Sequence, residues 1–188
     1  MKRFKLIGIH GPLNSGKDTI ANYILAMDKT ISGPSRFKQY AFAKPIKEAC
    51  KILFDYTDEQ LEDRILKEEI DERWGFSPRK TFQLLGTEFG RSLKDDIWIK
   101  RAELEVTKNY ENGFGTIITD VRFQNEADWI RSQPNSILIY IEAPNIIRDE
   151  KYNHSSEMGI TRHKNDFIII NDKSKGINIL YNQIDKIL

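Results

Sequence analysis

The stretch HGPLNSGKDTI, His10 to Ile20, sets Gly11, four intervening residues, Gly16 and Lys17 in series. That spacing is the one in which backbone N–H groups cradle phosphates while the lysine reaches the β/γ oxygens. Gly11, Asn14, Ser15, Gly16 and Lys17 therefore read as a phosphate-binding loop, with Lys17 as its working charge. The next position departs from the usual pattern, because Asp18 stands where Ser or Thr is common and Thr19 follows it. A carboxylate placed directly on phosphates would repel them. Either Asp18 faces a Mg²⁺ shell through water while Thr19 supplies the hydroxyl, or Asp18 is simply favoured in a first helical turn by the dipole. The residues alone leave both readings open.

A second candidate is TIITDVRFQNE, Thr116 to Glu126, an apolar strand ending in Asp120 with Arg122 two residues beyond. A strand-end carboxylate beside a phosphate loop suits Mg²⁺ or its water shell. Asp120 could instead cap a helix starting at Phe123. The planar donor fork of Arg122 suits a second phosphate. With the glycine loop, these residues point to phosphoryl transfer. The D-x-R spacing favours a kinase over a GTPase, and no N-K-x-D guanine-reading motif is present.

Three further groups carry weaker signals. In SPRKTFQLLGTEFGR, Ser77 to Arg91, the residues Arg79, Gln83 and Thr87 fall four apart, along one helical stripe. That face could hold a phosphate and a base edge, or it could be solvated. Trp74 and Trp98 serve either as core or as stacking platforms. In RDEKYNHSSE, Arg148 to Glu157, cations could close over phosphates, or they could line an ordinary charged loop. Cys50 and the three histidines show no metal-ligand spacing, so no histidine metal site is expected.

Such residues need a scaffold. FKLIGIH, Phe4 to His10, is a short apolar run ending at a glycine turn, the mark of a buried parallel strand. From Lys17 onward, Ile20, Tyr23, Ile24 and Met27 recur at helical spacing. KQYAFA, Lys38 to Ala43, reads as a second strand stopped by Lys44-Pro45, with a helix from Pro45. Between Thr57 and Tyr110 the strand signals vanish. Helical periods replace them: Leu61, Ile65 and Leu66; then Phe82, Leu85 and Phe89; then Trp98, Ala102 and Val106. Strands return at Gly115–Asp120, Ser136–Glu142 and Asp166–Asn171, with a helix of about eight residues between the first two. Ile177, Leu180, Ile184 and Ile187 predict a closing amphipathic helix. The expected fold is α/β, a five-stranded parallel sheet with helices on both faces and a helical insertion after the second strand. Ligands in such sheets bind at the carboxyl ends of strands.

The totals narrow the function further. A chain of 188 residues makes one domain, or one domain with insertions. Its 29 basic and 28 acidic side chains nearly cancel, so no global field draws it to nucleic acid or membrane. A single cysteine excludes a disulfide framework and fits a reducing interior. There is no run of about 18 apolar residues, and no charged-then-apolar leader precedes the first strand. A cytosolic protein is expected.

Taken in order, GPLNSGKDT, FAKPIKEA, SPRKTFQLLGTEFGR with DIWI, DVRFQNEA, HSSE and DFIIIND resemble the bacteriophage-type deoxynucleoside monophosphate kinases, within the wider nucleoside monophosphate kinase group. The resemblance runs from about Ile7 to the C-terminus. Adenylate kinases and phosphomevalonate kinases similarly lack Ser/Thr directly after the loop lysine. The resemblance implies a single P-loop kinase domain over 1–188. Its parts are a core (1–43 and 115–188), an acceptor-binding helical insertion (about 44–114) and a short lid (about 144–163). It implies ATP as donor with Mg²⁺ as cofactor, the metal lying near Asp18 and Asp120 through water.

The same resemblance assigns individual residues. It implies catalytic roles for Lys17, Arg122 and Arg148, and acceptor binding by Phe42, Lys47, Trp74, Arg79, Gln83, Arg91 and Arg122. It places Arg148, Lys151, His154 and Glu157 in the lid, and Asn171 and Asp172 near the donor adenine. The expected reaction is in-line phosphorylation of deoxynucleoside monophosphates to diphosphates in the cytoplasm, that of the host if the chain is phage-encoded. The acceptor phosphate is already ionised, so positioning and charge neutralisation suffice without a general base. Two alternatives are a kinase for another small phosphorylated acceptor, such as phosphomevalonate, and a module that binds ATP without turnover. A homodimer is an open option.

Overall fold

The N-terminal apolar run forms β1 (Leu6–His10), with all five residues buried, in a computed structural model that describes residues 5–145, 155 and 159–188. Burial on both faces is why the run shows no polar alternation. The other strands are β2 (Phe37–Tyr40), β3 (Gly115–Val121), β4 (Ser136–Glu142) and β5 (Phe167–Ile170). All pair in parallel, in the order β2-β3-β1-β4-β5. The expected five-stranded parallel α/β sheet is what forms.

Helix α1 (Lys17–Ser32) follows β1, α7 (Gln124–Ser132) joins β3 to β4, and α8 (Ile177–Asp185) closes the chain. Ile20 and Ile24 of α1 and Leu180 and Ile184 of α8 share one buried cluster with Ile7, Ile9, Ile139 and Ile141 of the sheet. Ile130 of α7 packs instead on Gly8 and Leu138, which lie on the opposite face. Helices therefore cover both sides, and β1 sits centrally between β3 and β4, where the strand order reverses. Crevices at such a reversal are where open α/β sheets bind ligands.

The pairing of β1 with β3 contains an irregularity. Gly8 pairs with Ile118, but His10, two residues on, pairs with Val121, three residues on. One extra residue of β3 is thus accommodated between Ile118 and Val121. Such bulges disrupt the ladder locally and re-aim side chains next to functional sites.

Phe42–Arg101 forms a second compact unit, distinct from 1–41 with 102–188. It contains α2 (Lys44–Phe54), α3 (Asp58–Glu62), α4 (Pro78–Gln83), α5 (Gly90–Leu93) and the start of α6 (Ile97–Glu111). Its core comprises Ile46, Cys50, Tyr56 and Leu61, flanked by Phe54, Phe82, Leu85 and Trp98. Burial pushes the Cys50 thiol up to about 12, so it stays protonated and behaves as a small apolar residue.

Three expectations are corrected here. Ile65 and Leu66 do not continue a helix from Leu61, because they lie in turns after α3. The second strand ends at Tyr40, not Ala43. Leu84–Phe89 is a π-helical turn, so the Arg79–Gln83–Thr87 stripe is broken after Gln83. A residue further along the chain ties this turn: the Trp98 indole donates to the Gly86 carbonyl at 2.6 Å and packs against Gly90, where a Cβ would come within 2.5 Å of the ring.

Candidate active site

The loop between β1 and α1 takes two left-handed residues, Asn14 (φ 63°) and Gly16 (φ 93°). Gly16 is required twice over. Its φ disfavours a side chain, and a Cβ there would meet Asn171 Nδ2 at 2.8 Å. That amide donates to the Ser15 carbonyl at 2.7 Å and ties the end of β5 to the loop. The Ser15 backbone N–H donates to Pro12 O at 3.1 Å. Gly16 is the N-cap of α1 and offers no side chain to its first-turn N–H groups. The helix thus starts with amide donors and the positive end of its dipole at the loop, the ordinary design of an anion site. Lys17 folds back over this turn, donating to Gly11 O at 2.8 Å and Pro12 O at 2.7 Å.

A cavity of about 480 Å³ opens at the carboxyl ends of the strands, beside this loop. Gly11, Lys17, Arg122, His10, Tyr140 and Glu142 are among its walls. Lys17 and Arg122, read separately from sequence, are therefore brought to one site. The Arg122 backbone is fixed independently of its guanidinium, because the buried Glu126 carboxylate accepts from the N–H of Arg122 (2.8 Å) and Phe123 (3.1 Å). Glu126 therefore serves the backbone entering α7. Asp120 itself is half-buried near the end of β3, within the bulge, while Asp18 is exposed in the first turn of α1.

Among the described residues no group of three His, Cys, Asp or Glu could cage a metal ion. Two separate carboxylates, Asp18 in the first turn of α1 and Asp120 near the end of β3, fit Mg²⁺ only of the kind that keeps its waters and is held chiefly by other ligands.

His10 was not singled out by its spacing, yet it is the buried wall of this cavity. Its Nδ1 lies 2.8 Å from Val121 O, so this nitrogen carries a proton and donates it to the carbonyl; Gly159 lies beside the Nε2 edge. Burial lowers its pKa, and the charges of Lys17, Arg122 and Arg131 lower it further against the opposing Val121 hydrogen bond. The unfolded chain takes up this proton at about 6.5. The folded state resists it, so stability falls as pH drops below that value toward the lower folded-state pKa. Thermal melts between neutral and acidic pH should show this loss, and His10→Gln should flatten it. An unchanged slope in the variant would remove His10 as its source.

The remaining candidates are distributed as follows. Asp172 is engaged by its own loop, accepting from the Ser174 amide (3.1 Å) and hydroxyl (2.6 Å) and from Asn145 Nδ2 (2.7 Å). The two Ser174 bonds, with the Lys175 ammonium beside them, hold its carboxyl below the usual range against the cost of burial. In the helical unit Phe42 is only 4% exposed and is packed as core, whereas Trp74 is 41% exposed and donates to Phe54 O at 2.9 Å. Gln83 is half-buried, and Arg91 donates to Asp95 O at 2.9 Å. Arg79 pairs with Glu68 at 2.9 Å and Lys47 with Glu62 at 2.7 Å. Arg148, Lys151, His154 and Glu157 lie outside the described residues. Among those described, no helix is long and apolar enough to cross a membrane.

Comparison with known proteins agrees with this architecture. Residues 54–184 match the family model described as deoxynucleotide monophosphate kinase. A protein of Acanthamoeba polyphaga mimivirus that carries that name is 35% identical over 95% of this chain and 93% of its own length. The deoxynucleoside-5'-monophosphate kinase of Escherichia phage T5 is 28% identical over 93% of this chain and 92% of its own. The chain belongs to the deoxynucleotide monophosphate kinase family and is a phosphotransferase.

Proposed function

We propose that the protein transfers the γ-phosphoryl group of ATP to a deoxynucleoside monophosphate, giving the diphosphate and ADP, with Mg²⁺ carried on the donor. The observation that supports this reading most is the convergence of Lys17, Arg122 and the uncapped start of α1 on one cavity. Loop amides and the α1 N-terminus hold the donor's phosphates. The Lys17 ammonium exchanges the Gly11 and Pro12 carbonyls for phosphate oxygens once the nucleotide arrives. Arg122, whose backbone Glu126 fixes, neutralises charge that grows on the transferring group. When bound, Mg²⁺ supplies further neutralisation of the phosphate oxygens, with Asp120 and Asp18 facing its waters. His10, whose pKa burial lowers, fills the wall.

The helical unit binds the acceptor through Arg79, Lys47 and Arg91, with Trp74 available to a base. The single P-loop kinase domain keeps its core in 1–43 and 115–188.

An assay of ADP release across deoxy- and ribonucleoside monophosphates tests the reading. ADP should form at a rate that depends on a deoxynucleoside monophosphate. Equal, slow ADP release without any acceptor would point to a nucleotide-binding module, and activity confined to a phosphorylated non-nucleotide would point to a different kinase.

A further inference from the structure

The segment Glu62–Ile70 inverts the usual order of burial. Ile65 and Ile70 are 69% and 68% exposed, and every other residue of the stretch is exposed as well, except Lys67, which is half-buried. Lysine is among the residues least often turned inward, and isoleucine among those most often buried. A local choice that contradicts packing in this way marks function more often than folding.

The surroundings of Lys67 define the function. Its carbonyl accepts the Arg79 backbone N–H at 2.8 Å, which holds the segment against the start of α4. The three nearby carboxylates have other donors. Glu68 accepts from Arg79 Nε at 2.9 Å, Glu62 from Lys47 Nζ at 2.7 Å, and Asp63 from the amides of Ile65 (2.8 Å) and Leu66 (3.0 Å). Among the described residues no hydrogen bond or ion pair engages the Lys67 ammonium. Burial lowers its pKa, and the charges of Arg79 and Lys47 add to that, outweighing the opposite pull of Glu68 and Glu62. Three cations and three carboxylates thus share a half-buried place in the helical unit, where Lys47 and Arg79 are hydrogen-bonded to carboxylates and the Lys67 ammonium is not. A dianionic oxyanion bearing several acceptor oxygens is the ligand that satisfies such a cluster.

We propose that Lys67, with Arg79 and Lys47, is the site that grips the phosphate monoester of the acceptor nucleotide. This rests on the reading of the helical unit as acceptor-binding. Lys67 is the residue that discriminates a nucleotide from the corresponding nucleoside, because among the described residues its ammonium makes no hydrogen bond that the phosphate would have to displace. Binding of the phosphate returns its pKa toward the ordinary value for lysine.

The test uses the full-length protein. Lys67→Gln keeps most of the stem and removes the charge, and should raise the acceptor KM about tenfold or more, as expected for losing one charge-assisted hydrogen bond. The KM for ATP should stay within about twofold, and Lys67→Arg should recover part of the loss. In the unsubstituted protein labelled at lysine Cε, the Lys67 resonance should titrate at higher pH when deoxynucleoside monophosphate is added, and stay unmoved by the nucleoside. An unchanged acceptor KM in Lys67→Gln while Arg79→Ala raises it would overturn the proposal and leave the acceptor reading standing. If neither variant moves the acceptor KM, the acceptor reading of the unit fails with it. A Lys67 resonance indifferent to the nucleotide overturns the proposal even if the variants misfold.

Discussion

Replacing Lys17 with alanine is expected to lower kcat at least about a hundredfold while leaving the fold intact, the scale seen when one preorganised electrostatic donor is lost. The side chain gives up, among its contacts, the hydrogen bonds to Gly11 O and Pro12 O. Each is worth about 1 kcal/mol net. The loop keeps the Ser15–Pro12 turn bond and the Asn171 brace, so the melting temperature should shift by only a few degrees. Lys17 lies close enough to His10 to depress its pKa. Its removal should therefore raise the His10 titration observed by NMR, an independent sign that the charge points into the cavity. A folded variant with near-native turnover would remove Lys17 from the reaction.

The second large effect belongs to Arg122. Its backbone is pinned by Glu126 and its side chain lines the same cavity as Lys17. Arg122→Ala should lower phosphoryl transfer by on the order of a thousandfold, the lower range for arginines that neutralise transferring phosphoryl groups. The affinity for ATP, measured by calorimetry on the same preparation, should change only a few-fold, because the charge matters most in the transition state. Arg122→Lys keeps the charge but loses the planar fork, so turnover should recover only in part. Joint loss of ATP binding and turnover would make Arg122 a donor-site or folding residue instead.

The parallel sheet was legible because strands buried on both faces are written as continuous apolar runs, as in LIGIH and SILIYIE. The strand–loop–helix context of Gly11 to Lys17 was legible for the same reason. Other features depend on partners remote in sequence. Among the described strands β2 pairs with β3 alone, and Lys38 and Gln39 are exposed, so its apolar signal is weak and the run through Phe42 misplaces its end. The π-helical turn is tied to the Trp98 indole reaching Gly86, which no local period announces. His10 is silent in the sequence because a lone histidine before a glycine turn reads as strand. The bulge in β3 then brings Val121 O to its ring. Ile65 and Leu66 mimic a helical period while facing solvent, and the inward lysine beside them is visible only once the chain is folded.

The most direct test of the central claim follows the γ-phosphate itself. Radiolabelled ATP, Mg²⁺ and a deoxynucleoside monophosphate are incubated with the protein, and the products are separated by ion exchange. The label should appear in the deoxynucleoside diphosphate, one equivalent for each ADP formed, and disappear from that product when the metal is chelated. Label found only in inorganic phosphate, or ADP formed with no labelled diphosphate from any deoxynucleoside monophosphate, would contradict it.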